Sequence, residues 1–140
     1  MARKDYKKPL PHVDEENRWF WEACARHELV LQKCIACSGV RFYPRALCPE
    51  CLSSETRYLR ASGRGRVYTF TVTYQNQAAG FRDELPYVMA YVELEEGPRI
   101  LTNIVKTPPD QVKIGMPVEV VFEDIDEALA IPKFQKMETR

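Results

Sequence analysis

The chain has 140 residues, of which 45% are apolar, and 20 lysines and arginines balance 20 aspartates and glutamates. This length fits one domain or two very small ones, and zero net charge argues against a nucleic-acid binder, which favours a basic face. No apolar run approaches the roughly 20 residues of a membrane span. The start lacks the apolar stretch of a secretory signal, so the expected location is the cytoplasm.

In chain order, residues 1–11 are charged, contain Pro9 and Pro11, and read as an extended arm. A helix follows in "HVDEENRWFWEACARHELV". Asp14 is its expected cap, with Glu15 and Glu16 favoured in the first turn by the backbone dipole. Phe20, Cys24 and His27, with Trp19 and Ala23, give it an apolar face. Trp19, Phe20 and Trp21 span about 200° of the helical wheel at roughly 100° per residue. One face struggles to bury all three. Either the small domain wraps them or part of the trio serves a partner.

"LVLQKC" and "VRFYP" predict two short strands that bracket a first pair of cysteines. "ETRYLRASGRGRVYTFTVTYQ" then alternates with period two, broken near its start by Gly63 and Gly65. Its alternation predicts one face of Tyr68, Phe70, Val72 and Tyr74, and another of Val67, Thr69, Thr71 and Thr73. "QNQAAGFRDELP" reads as a polar loop. "YVMAYVELEEG" predicts a strand with Val88, Ala90, Val92 and Leu94 on one face. "RILTNIV" and "VEVVFEDI" predict two more, the latter with Val118, Val120 and Phe122 facing one way. "IPKFQKM" predicts a last strand that closes against an edge. The fold class is therefore mainly β: an N-terminal helix, a cysteine-rich ribbon, and a five-stranded Greek-key barrel of the OB type. The expected divisions are 1–28 for arm and helix, 29–60 for the ribbon and 61–140 for the barrel.

The cysteine frame is the strongest chemical signal. Cys34-x2-Cys37 and Cys48-x2-Cys51 are separated by ten residues. Each pair predicts a knuckle with two thiolates aimed at one centre, and two knuckles complete a tetrahedron that suits zinc. Mononuclear iron would use the same ligands. Gly39 is the expected site of a positive-φ turn after the first knuckle, and Pro49 fixes φ inside the second. A thioredoxin-type pair would stand alone within a βαβ pattern, which is absent. Four thiolates leave no open position, so the metal is expected to be structural and to staple a ribbon too small for its own core. Cys24 lies outside the set and reads as a small buried apolar residue.

A catalytic constellation is not legible. His12 and His27 have no recognisable nucleophile partner, and no phosphate-binding glycine loop occurs. The acidic residues at 83, 84, 93, 95 and 96 read as solvated charges. Arg60, Arg64 and Arg66 form a basic patch where ribbon meets barrel. It reads either as a solvated strand edge or as a phosphate contact.

Taken in order, "RWFWEACARHEL", "QKCIACSGVRFYPRALCPEC", "SGRGRVYTFTVTYQ", "PYVMAYVELEEGPRILTNIV", "IGMPVEVVFED" and "IPKFQ" resemble the zinc-ribbon/OB-fold acyl-CoA-associated family over residues 13–135. The resemblance implies a rubredoxin-like zinc ribbon and an OB barrel. It further implies an accessory subunit of a thiolase-type, aldolase or synthase assembly, similar to the small subunit of benzoylsuccinyl-CoA thiolase. The partner, a thiolase-fold protein, would carry the catalytic groups for carbon–carbon chemistry on a bulky acyl-CoA. On that reading Trp19, Phe20 and Trp21 are the candidate partner contacts, and Arg60, Arg64 and Arg66 the candidate contacts for CoA phosphates. The alternative is a single-strand nucleic-acid binder in which Tyr68, Phe70 and Tyr74 stack bases.

Overall fold

The structure, a computed structural model, describes residues 5–138. One helix and eight strands organise it. Helix α1 is Arg18–Ala25. Strands β1 (Val30–Cys34), β2 (Val40–Arg41) and β3 (Thr56–Arg60) form a small antiparallel sheet in the order β2-β1-β3. Strands β4 (Arg64–Thr73), β5 (Tyr87–Leu94), β6 (Arg99–Val105), β7 (Pro117–Asp126) and β8 (Leu129–Lys136) close a barrel in the order β4-β5-β6-β8-β7. The expected last strand, β8, is the closing element: it runs antiparallel to β7 and parallel to β6. No helix among the described residues is long and apolar enough to cross a membrane.

The helix is shorter than its apolar pattern predicts. Asp14 caps a preceding turn, its Oδ1 accepting the N–H groups of Glu16 and Asn17 at 2.9 and 3.0 Å. At the other end His27 adopts φ 61°. The Glu28 N–H reaches the Ala23 carbonyl and the His27 N–H reaches that of Cys24, both at 2.9 Å. This is a left-handed helix stop built without glycine. It turns the His27 ring onto Phe122 of β7 in a stacked arrangement at 5.1 Å. The same ring hydrogen-bonds Asp124 at 2.7 Å.

The long alternating segment at 56–73 is two strands in two sheets. β3 pairs with β1 in the ribbon, and β4 pairs with β5 and β7 in the barrel. Gly63 makes the change of direction at φ 83°, and a Cβ there would lie 2.7 Å from Val120 Cγ1. Within β4 the pairing slips between Val67 and Thr69. This bulge splits both expected faces: Val67 is buried apart from Thr69, Tyr68 and Thr69 both point out, and Phe70 and Val72 return to the core side. The aromatic face of Tyr68, Phe70 and Tyr74 therefore does not exist as one surface. The sets expected to share a face in β5 and in β7 do so, and that face is the core side.

One core joins the parts. Phe20 and Cys24 of the helix and Leu29 and Leu31 of the ribbon cluster with Val67, Val92, Ile100 and Phe134 of the barrel. The arm is also anchored. Lys8 pairs with Glu84 at 2.7 Å and lies over the Phe81 ring. Gly80, at φ 86°, allows this approach, since a Cβ there would sit 2.9 Å from Lys8 Cγ. Replacement of Gly80 by alanine is expected to lift the arm, read as faster amide exchange at residues 6–8 with the barrel amides unchanged.

Candidate metal centre

The two knuckles share one local geometry. Cys34 and Cys48 each accept, at the carbonyl, an N–H four residues on: Ser38 at 2.9 Å and Leu52 at 2.8 Å. Each also donates its own N–H to the next carbonyl, Gly39 at 2.8 Å and Ser53 at 2.9 Å. The tightening residue is left-handed in both, Ser38 at φ 65° and Leu52 at φ 66°. The positive-φ position of the first knuckle is thus Ser38 and not Gly39. For Leu52 this conformation costs roughly 1–2 kcal/mol relative to an ordinary backbone.

The knuckles bring Cys34, Cys37, Cys48 and Cys51 together with all four Sγ atoms within 4.8 Å of one another. Cys34 and Cys51 lie 3.6 Å apart, and Cys37 and Cys48 lie 3.7 Å apart. A tetrahedral zinc with sulfur ligands at about 2.3 Å requires edges of about 3.8 Å, so the donor set fits the ion. Bound there, zinc would supply cross-linking between the hairpins and would present no open coordination position. The Cys37 N–H draws the Cys34 thiol down to about 7. The Ser53 N–H lowers Cys51, but the hydrogen bond with Cys34 and burial outweigh it and push that thiol up to about 12.

Two buried polar side chains, which carry no motif, position the second knuckle. Gln32 on β1 accepts the Arg45 N–H at 2.8 Å and donates to the Arg45 carbonyl at 3.0 Å. Arg41 on β2 donates to the same carbonyl and to Thr56 Oγ1, both at 2.9 Å. Replacing Gln32 by alanine leaves the Arg45 amide unpaired in a partly buried site. We expect a loss of about 1–3 kcal/mol, seen in thermal unfolding, with weaker metal retention in a chelator competition.

The other candidate residues are scattered. Phe20 is 1% exposed and inside the core, so it offers a partner no surface; Trp19 and Trp21 are half-buried against that core. Trp19 also packs on Tyr58 at 4.7 Å. Arg60 belongs to the ribbon and faces Glu28 at 3.8 Å. Arg64 and Arg66 belong to the barrel, where Arg64 pairs with Glu95 at 3.2 Å and Arg66 donates to the Gly115 carbonyl at 3.0 Å. Cys24 is fully buried and burial pushes its thiol up to about 12, which keeps it unreactive. Among the described residues neither histidine side chain hydrogen-bonds a hydroxyl or thiol; His12 faces Asp14 and His27 faces Asp124.

Two family models match in tandem: the ChsH2 rubredoxin-like zinc ribbon domain over residues 21–57 and the ChsH2 C-terminal OB-fold domain over residues 58–123. The chain belongs to the ChsH2 zinc-ribbon/OB-fold family. A probable enoyl-CoA hydratase alpha subunit of Thermomonospora curvata is 38% identical over 91% of the chain. The chain spans only 40% of that relative's length. A DUF35 domain-containing scaffold protein of Methanothermobacter thermautotrophicus is 41% identical, over 73% of this chain and 77% of its own. The expected likeness to the benzoylsuccinyl-CoA thiolase subunit BbsA of Thauera aromatica is present at 29% identity, over 54% of this chain and 51% of that one. Among solved structures, a chain of the Ltp2-ChsH2(DUF35) aldolase superposes with a TM-score of 0.82 at 38% identity, covering 91% of this chain and 98% of that one. The family's ribbon is thus the structural setting of the four cysteines, and its OB domain that of the barrel.

Proposed function

We propose that the chain is a non-catalytic, zinc-stapled subunit that binds a thiolase-fold partner and supports carbon–carbon chemistry on a bulky acyl-CoA. The observation that carries this reading is a closed four-cysteine ribbon fused to an OB barrel, in a family with relatives named as subunits of an enoyl-CoA hydratase and of benzoylsuccinyl-CoA thiolase and another named as a scaffold protein. A closed sulfur site suits a structural role, because chemistry at zinc needs an open ligand position. The likeness to a chain of an aldolase favours a hetero-oligomer.

Within that complex Trp19 and Trp21 supply aromatic area beside the interface. Arg66 is the member of the basic patch with no carboxylate partner among the described residues, and with Arg60 and Arg64 it forms the candidate CoA-phosphate contact. The test is reconstitution. The chain alone should show no turnover of an acyl-CoA, whereas a thiolase-type or aldolase-type partner should gain activity or stability on mixing. Replacing Arg66 by alanine is expected to raise the apparent KM for CoA several-fold with kcat little changed; an unaltered KM removes the phosphate role. Nucleic-acid binding would instead appear as affinity that falls steeply with salt.

A further inference from the structure

The ribbon sheet ends in an open edge. Strand β3 pairs with β1 on one side, and among the described residues no strand pairs with its other side. Two hydrogen bonds fix which of its backbone groups face outward. The Ile35 N–H reaches the Glu55 carbonyl at 3.0 Å, and the Ala61 N–H reaches the Leu29 carbonyl at 2.7 Å. Bonded pairs alternate along an antiparallel ladder, so Arg57 and Leu59 bond β1. Thr56, Tyr58 and Arg60 turn their N–H and C=O groups away from it. The neighbouring pair of strands agrees: the Cys34 N–H reaches the Gly39 carbonyl at 2.8 Å, which aims Gln32 and Cys34 at β2. Among the described residues no hydrogen bond reaches the main chain of Thr56, Tyr58 or Arg60.

Proteins ordinarily blunt such an edge with proline, a bulge or a covering segment. β3 contains no proline and keeps an unbroken register with β1 over all five residues. Tyr58 is 57% exposed and packs on Trp19, which forms an aromatic shelf beside the edge. Open N–H and C=O groups at this spacing are satisfied by an extended backbone added as the next strand.

Charge selects its side chains. Lys33 and Arg57 stand directly opposite one another on one face of the sheet, and neither has an ion-pair partner among the described residues. Like charges so placed repel. Arg60 is a third cation on the edge. The nearby acids are Glu55, beside the start of the strand, and Glu28, which Arg60 at 3.8 Å shares with Arg26 at 3.6 Å. Cations outnumber carboxylates along the edge, and no carboxylate answers Lys33 and Arg57. A second copy of the chain fits poorly. The antiparallel register that uses all three open residues centres on Tyr58 and sets two Arg57 side chains diagonally across from each other, beside two Lys33.

We infer that the open edge of β3 takes an extended, acidic segment of a second protein subunit as the fourth strand of the ribbon sheet. This rests on the subunit reading above and places the partner's backbone beside Trp19. Main-chain hydrogen bonds supply affinity, and carboxylates against Lys33 and Arg57 supply register.

The probe is an Ltp2-type aldolase subunit added to the metal-loaded chain and followed by calorimetry and amide hydrogen exchange. In the free chain the Thr56, Tyr58 and Arg60 amides should exchange fast and those of Arg57 and Leu59 slowly. In the complex the three fast amides should become protected. Arg57→Glu should weaken binding at least tenfold, by a margin that shrinks with added salt. Tyr58→Pro removes an outward N–H without touching a bond to β1, and should cost more affinity than Tyr58→Ala, which keeps it. The exchange pattern of the parent chain reads the edge even where the proline variant folds poorly. A complex in which the three amides still exchange freely overturns the inference and leaves the subunit reading standing, and so does an Arg57→Glu chain that binds as the parent does. Failure of the parent chain to bind overturns both. Protection that appears in the chain alone as its concentration rises assigns the edge to a second copy and also overturns the inference.

Discussion

Stripping the metal from Cys34, Cys37, Cys48 and Cys51 is expected to unfold the ribbon and to loosen everything that leans on it. The ribbon sheet has strands of five, two and five residues, too little to bury an independent core. Structural zinc contributes apparent binding energies of about 10–16 kcal/mol in small zinc modules at neutral pH, most of it coupled to folding. Cys48→Ser or a strong chelator should therefore abolish stoichiometric metal, measured by elemental analysis. It should also lower the melting temperature by more than any core truncation. The effect should extend beyond the ribbon, because Leu29 and Leu31 belong to the same cluster as Val67 and Phe134 of the barrel. Acid should act in the same direction. The bound form needs four thiolates, so affinity is present at high pH and is lost as pH falls and protons compete for sulfur. Proton release on metal binding, followed in weakly buffered solution, checks this directly.

The second large effect is expected at Phe20. It is the largest fully buried side chain of the helix, and it meets Phe42 of the ribbon at 5.4 Å and Trp21 edge-on at 5.1 Å. Phe20→Ala should cost about 3–5 kcal/mol, from lost burial plus the cavity left where three elements converge. Against a total stability of about 5–15 kcal/mol this is a large share. It corresponds to a melting temperature lower by roughly 10–20 °C. Tyr91→Ala should change stability by no more than about 0.5 kcal/mol, since Tyr91 faces solvent on the barrel's outer surface. Denaturant unfolding of the two variants side by side separates the cases. Equal stabilities would show that the helix does not share the barrel's core.

Several features were readable because they depend only on neighbours along the chain. Alternation with period two located β5, β6 and β7 and grouped Val88, Ala90, Val92 and Leu94 on one face, which is the buried one. The two CxxC pairs identified all four sulfurs that now lie within 4.8 Å. Others were hidden for a physical reason. The bulge after Val67 shifts every later side chain of β4 by one position, and nothing in "RVYTFTVT" marks it. The helix stop at His27 lacks the glycine that usually announces one. Gln32 and Arg41 hold the loop before the second knuckle through backbone contacts that carry no spacing signal.

The sequence by itself determined the composition of the metal site and the identity of most buried strand residues. Metal ligation and strand amphipathicity are both set by short-range spacing, two residues between thiols and two residues per pleat. Only the tertiary structure decided how the aromatic trio is divided, with Phe20 taken into the core and Trp19 and Trp21 left half-exposed. It also separated the three arginines, placing Arg60 in one sheet and Arg64 and Arg66 in the other. Those outcomes depend on which surfaces meet when helix, ribbon and barrel share one core. That meeting joins residues about a hundred positions apart, such as Phe20 with Phe134, and no local pattern encodes it.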